Sequence, residues 1–228
     1  MTSEPRSIDI GDGRTVSAVV AYPDRPATGP PTAVVLAHGA GNDMRNAFLS
    51  AVHEGLVARG YLCVKFNFPY KELGRRAPDP APVLEACYAR VIDAVRADRR
   101  IAAARLVIGG KSLGGRMASH LGAKGAAIDG LIFLGYPLHP AGAPDKLRVA
   151  HLDRIRAPML FIVGTRDPLC TLDLLRPTLA RLSAPVSLHI VDGGDHSFNV
   201  PKKMQRAPHA VWEGIIDTCS RWLAALPH

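Results

Sequence analysis

Between Val107 and Gly115 the chain reads Val-Ile-Gly-Gly-Lys-Ser-Leu-Gly-Gly, a β-branched run joined to a helical pattern through a serine bracketed by glycines. Few backbones permit such a join. Gly110-x-Ser112-x-Gly114 fits a tight strand-to-helix turn that lifts a serine hydroxyl above the edge of a sheet, with glycines where side chains would clash. The five-residue pattern alone recurs by chance, so its flanks decide its weight. Arg105 to Gly110 reads as a buried strand and Leu113 to Ala123 as a helix, which is the setting such a turn requires.

The other segments are expected to bring further polar residues to the same edge. Ser7 to Ile10 and Arg14 to Ala21 flank Gly11-Asp12-Gly13 as an early hairpin, and Thr32 to Ala37, Tyr61 to Phe68, Leu131 to Gly135, Met159 to Gly164 and Val186 to Val191 read as strands. Helices are expected from the loop His38 to Asp43 to about Arg59, from Val83 to about Arg100, from Leu172 to Leu182 and from Ala207 to Leu226. Pro69 to Pro82 reads as the longest irregular connection. Strands alternating with helices predict a mostly parallel α/β sheet with helices on both faces and functional loops at the strands' carboxyl ends. His38, Ser112, Asp167 and His196 each fall at or just beyond such an end. With 228 residues, 47% of them hydrophobic, one domain over 1–228 accommodates the whole pattern.

A neutral serine hydroxyl attacks poorly unless a base takes its proton and a third group fixes the base's tautomer. After Ser112 come Asp167, beyond the strand Met159 to Gly164, and His196, in the glycine-rich loop Gly193-Gly194-Asp195-His196-Ser197-Phe198 after the last strand. These are the candidate catalytic residues. Asp167 also precedes Pro168, where an aspartate commonly caps a turn, and the two roles are compatible. Asp192 and Asp195 are rivals, but they share the histidine's own loop and must reach back to its Nδ1. An oxyanion needs two preorganised amide donors. Leu113, directly after the serine at a helix start, is one candidate, and Ala40, chosen narrowly over Gly41 in His38-Gly39-Ala40-Gly41, is the other. His38, Gly39, Tyr70, Tyr136, Leu138 and His139 are the candidate substrate-binding residues. With only Tyr136 to Pro158 available after the next strand, the site is expected to be open and shallow.

The chain's +8 formal charge comes from Lys and Arg scattered singly or in pairs, without a basic run interleaved with aromatics, so no nucleic-acid partner is expected. The glycine loop lacks the Walker lysine arrangement and the G-x-G-x-x-G spacing of phosphate binders, and no His/Cys spacing matches a metal site. No cofactor is implied. The first residues contain no apolar core of a leader peptide and no run approaches the ~18 apolar residues of a membrane span, so no membrane association is expected. Cys63, Cys87, Cys170 and Cys219 are scattered and read as free thiols, consistent with a cytoplasmic location.

On these residues the chain resembles an α/β-hydrolase of the small, lidless, dienelactone-hydrolase-like kind, in particular the KANL/testis-expressed hydrolase-like branch. The resemblance runs from Thr32 onward through His38-Gly39-Ala40-Gly41-Asn42-Asp43-Met44, Gly109-Gly110-Lys111-Ser112-Leu113-Gly114-Gly115-Arg116, Tyr136-Pro137-Leu138-His139-Pro140, Gly164-Thr165-Arg166-Asp167 and Asp195-His196-Ser197. It implies an α/β-hydrolase fold of about seven or eight strands without a cap domain, and a small-molecule ester as substrate. Dienelactone hydrolases proper use a cysteine nucleophile where this chain has Ser112, which implies a general serine esterase more strongly than that one lactone. The branch also contains eukaryotic complex subunits with no established hydrolysis, so a non-catalytic protein-interaction module on the same fold is the alternative reading at this point.

Overall fold

The turn Gly11-Asp12-Gly13 reverses the chain between Thr2–Gly11 (β1) and Arg14–Tyr22 (β2), which pair antiparallel with Ile8 opposite Val16. In the computed structural model, which describes residues 1–101 and 105–227, β1 starts earlier than its alternation suggests because Thr2 still pairs with Tyr22. Thr32–Ala37 (β3) leads to a helix over Ala47–Ala58 (α1), then Leu62–Phe66 (β4), a single turn at Pro69–Glu72 (α2) and Ala81–Ala97 (α3). Arg105–Lys111 (β5), Leu113–Ala123 (α4), Gly130–Leu134 (β6), Met159–Gly164 (β7), Leu172–Leu179 (α5), Val186–Val191 (β8) and Pro208–Ala224 (α6) complete the order.

One eight-stranded sheet results, ordered β1-β2-β4-β3-β5-β6-β7-β8, with β2 antiparallel to both neighbours and every pair from β4 onward parallel. Its central strands β3, β5, β6 and β7 are buried along their whole length, as continuous apolar runs demand when both faces are covered. On one face Leu49, Val52 and Leu56 of α1 pack with Ile215, Cys219 and Leu223 of α6. On the other, Leu84 and Tyr88 of α3, Met117 of α4 and Leu175 of α5 close the larger core. The expected α/β-hydrolase architecture is therefore present, with helices on both faces.

Two local expectations change. The helix expected from the glycine loop begins only at Ala47, where the Asn46 side chain accepts the Leu49 N–H at 3.2 Å, so residues 39–46 form a loop. Pro69, expected in irregular chain, instead opens α2, because a proline's fixed φ suits the first helical position and its missing N–H costs nothing there. Between Tyr136 and Pro158 the only helical element is the 3₁₀ turn Leu152–Arg154, so that interval carries no cap. Among the described residues no helix is long and apolar enough to cross a membrane.

Burial pushes His38, His53 and His151 down to about 4, from an ordinary 6.5. Each is neutral in the folded chain, whereas the unfolded chain takes up protons first as pH falls. Their contribution is therefore present in full above about pH 6.5 and is lost progressively towards pH 4. The melting temperature should fall steadily between pH 7 and 4.5, and a flat profile there would contradict this account of the three histidines.

Candidate active site

After Lys111 the chain has one residue in which to leave β5 and begin α4. Ser112 makes that turn at φ 50° and ψ −111°, outside the conformations a non-glycine residue normally adopts. Close contact with the end of β3 enforces it. A Cβ on Gly110, whose φ is +151°, would lie 2.1 Å from the Ala37 carbonyl oxygen, and one on Gly114 would lie 2.3 Å from the same atom. The Ser112 N–H donates to the Leu134 carbonyl at 3.1 Å, tying the elbow to β6. From α3 the buried Tyr88 hydroxyl accepts the Gly109 N–H at 2.9 Å and lies 2.8 Å from the Val35 carbonyl, bracing β5 against β3 just before the turn.

Two loops meet the elbow at the same carboxyl edge of the sheet. The loop after β7 is clamped to the loop after β8: Arg166 N–H donates to the Gly194 carbonyl at 2.8 Å and Gly193 N–H to Thr165 Oγ1 at 2.8 Å. Phe198, fully buried at φ +63°, packs on Phe48 with ring centroids 5.1 Å apart and anchors the second loop in the core. Held in this way, His196 places Nε2 2.8 Å from Ser112 Oγ and Nδ1 2.8 Å from Asp167 Oδ2. The other Asp167 oxygen accepts the Leu169 N–H at 2.8 Å, so the carboxylate serves its turn and the imidazole at once. Asp195 instead spends its carboxylate on the Ser197 and Asn199 amides at 2.8 and 2.9 Å, and Asp192 is exposed to solvent. With Nδ1 facing a carboxylate, its proton belongs on that side, leaving Nε2 to accept one from the serine.

Leu113, as the first residue of α4, has an amide with no helix carbonyl to bond, at the positive end of the helix dipole. Opposite it runs the glycine loop. A Cβ on Gly39 would lie 3.6 Å from Ser112 Cβ, which brings the exposed Ala40 and Gly41 next in line beside the serine. Asn67 Oδ1 accepts the Met44 N–H at 2.8 Å and holds the far side of that loop.

The residues expected to bind substrate are buried. His38, Tyr70, Tyr136 and Leu138 have no accessible surface, Gly39 is buried and His139 is 3% exposed, so none of them presents a face to a ligand in this conformation. His38 donates from Nδ1 to the Gly39 carbonyl at 2.8 Å and accepts the Phe68 N–H on Nε2 at 3.1 Å, a neutral brace under the glycine loop. Tyr136 donates to the Arg148 carbonyl at 2.9 Å, and His139 contacts Thr171 Oγ1 at 3.0 Å. Tyr88, Asn67 and Lys111 escaped the sequence reading: nothing marks the first two, and Lys111 occupies the unconstrained position of the motif. All four cysteines are free and buried, and among the described residues no group of three or more His, Cys, Asp or Glu side chains could hold a metal ion.

Comparison with known proteins agrees with this architecture. Residues 30–224 match the family described as alpha/beta hydrolase domain. A dienelactone hydrolase from Anabaena variabilis superposes with a TM-score of 0.78 at 19% identity, covering 100% of this chain and 99% of the other. A serine hydrolase without lid from Xanthomonas campestris gives 0.74 at 20% identity (99% and 96% covered). A serine hydrolase homologue from Coxiella burnetii gives 0.74 at 18% (98% of each). At such identities the likeness is one of fold.

Proposed function

The chain belongs to the α/β hydrolase domain family, and from that premise we propose that it is a serine hydrolase, specifically a carboxylic-ester hydrolase acting on small or exposed esters through an acyl-enzyme. The unbroken hydrogen-bond line from Asp167 through His196 to Ser112 carries this reading. Ser112 Oγ attacks the ester carbonyl carbon as its proton passes to His196 Nε2. Asp167 holds the imidazole by its Nδ1–H and stabilises the imidazolium that forms. The amides of Leu113 and Ala40 receive the oxyanion, an interaction that strengthens only as charge develops. Collapse breaks the carbonyl–alkoxy bond, the alcohol leaves with the proton from Nε2, and a water deprotonated by the same nitrogen hydrolyses the acyl-enzyme and restores Ser112. No cofactor takes part in this sequence.

The absence of a cap between Tyr136 and Pro158 supports a preference for short acyl groups, since little apolar surface is available to bury a long one. Placement in the KANL/testis-expressed branch rests on the shared motifs, and four free cysteines, all buried, support a cytoplasmic location. The decisive experiment is covalent labelling by a fluorophosphonate, which needs an activated serine beside an oxyanion hole and no knowledge of the substrate. Labelling is expected at Ser112, absent in Ser112→Ala and sharply reduced in His196→Ala. Turnover of a panel of aryl esters should then decline as the acyl chain lengthens; a deep pocket would instead gain about 0.8 kcal/mol per buried CH₂. Folded wild-type protein that stays unlabelled at neutral pH while binding a protein partner tightly would replace this reading with that of a non-catalytic interaction module.

A further inference from the structure

The residue immediately before the serine carries an anomaly that the triad leaves unexplained. Lys111 ends β5 with its side chain turned inward: its stem passes Gly39, with Cγ 3.5 Å from where a Gly39 Cβ would stand. Its Nζ borders the space above Gly135, 3.0 Å from where a Cβ would stand there, and the His196 Cε1 and carbonyl oxygen border the same point at 3.5 and 3.3 Å. The ammonium also lies 5.6 Å from the centroid of the buried Phe198 ring. The residue is only 9% exposed, and Nζ is enclosed without a hydrogen-bond partner. An enclosed ammonium with three unused donors is costly, and a methionine of similar length would pack there at less expense. Charge is the one property for which a lysine is needed at this position.

We propose that Lys111 is a positioning residue of the triad: its enclosed ammonium offsets the carboxylates around His196, so that the imidazole is neutral and able to take the serine proton. This deepens the serine-hydrolase reading and rests on it. The charged groups facing this spot are Asp167 from the loop after β7 and Asp195 from the histidine's own loop, both of which favour a positive charge on Lys111. Asp167 also holds His196 at Nδ1, and an imidazole already protonated cannot act as a base. A cation bordering the same space as His196 Cε1 opposes that premature protonation. Burial is the largest influence on Lys111 itself and brings it down to about 8, so the ammonium persists at neutral pH and the offset fades above it.

The test is the pH dependence of the fluorophosphonate labelling rate from pH 5 to 9.5 in wild type, Lys111→Met and Lys111→Arg. Lys111→Met should move the acid-side half-maximum upward by about one pH unit, the size of effect a neighbouring charge produces, whereas Lys111→Arg should keep it near the wild-type position. A folded Lys111→Met whose profile superimposes on the wild type, or falls by one factor at every pH, would reduce the lysine to a packing role and overturn the proposal. If wild-type protein is not labelled at all, the serine-hydrolase reading fails by itself, and NMR titration of the His196 Cε1–H in wild type and Lys111→Met decides the electrostatic claim. An upward displacement of the midpoint supports it, and coincident curves refute it. Lys111→Gln, read in the same two ways, takes the place of Lys111→Met if the latter does not fold.

Discussion

Ser112→Ala should lower ester turnover by several orders of magnitude, on the order of 10⁶ where serine and histidine act as one unit, and His196→Ala should match it. The fold should survive both changes. The bond that secures the elbow is the Ser112 backbone N–H to Leu134, which does not involve the hydroxyl, and the histidine loop is anchored by Phe198. The double variant should lose no more than either single one, because a nucleophile without a base and a base without a nucleophile are equally idle. Asp167→Asn should cost about as much as either or less, on the order of 10⁴, through the wrong imidazole tautomer. Steady-state kinetics on an aryl ester, with circular dichroism as the folding control, makes the measurement. Full activity in Asp167→Asn, with loss in Asp195→Asn or Asp192→Asn, would transfer the acid's role to the histidine's own loop.

The other large effect is on stability. Gly110→Ala is expected to destabilise the fold by roughly 3–5 kcal/mol, in the range reserved for a steric conflict that the core cannot absorb. The new Cβ would meet the Ala37 carbonyl oxygen at 2.1 Å, on a backbone held at φ +151° that side chains rarely adopt. Relief would require β3 and β5 to separate where their ladder closes at Ala37 and Gly110, beneath Ser112. Since whole domains are stable by only about 5–15 kcal/mol, the change should remove a large share of the protein's margin and lower its urea midpoint markedly. Urea unfolding of the purified variant gives the value. A midpoint equal to that of the wild type would mean that the elbow is looser than its contacts indicate.

Much of this protein was written locally in its sequence. Thr32–Ala37, Met159–Gly164 and Val186–Val191 are strands, and Leu113–Ala123 a helix, over the spans their residues suggest, because an apolar run bounded by turn residues needs no distant partner to be recognised. The elbow was legible for the same reason: glycine, serine and glycine constrain neighbouring backbone, and the constraint lies within five residues. The sequence also named Asp167 and His196 as partners of Ser112 from their strand-end positions, but the contacts themselves depend on which distant segments meet. The choice of Asp167 over Asp195 turns on a contact spanning 29 residues, and that of His196 with Ser112 on one spanning 84. The burial of Tyr70, Tyr136 and Leu138 follows from how loops fold back over strand ends, and a strand-end position alone does not tell an inward side chain from one that meets a ligand. Lys111 shows the same limit most plainly. In the sequence it is a charged residue at an unconstrained position of a motif, and only the packing of Gly39, Gly135, His196 and Phe198 around it encloses its ammonium. Backbone conformation is governed by neighbours in the chain, whereas burial and electrostatic environment are governed by neighbours in space, and those are settled only when the sheet closes.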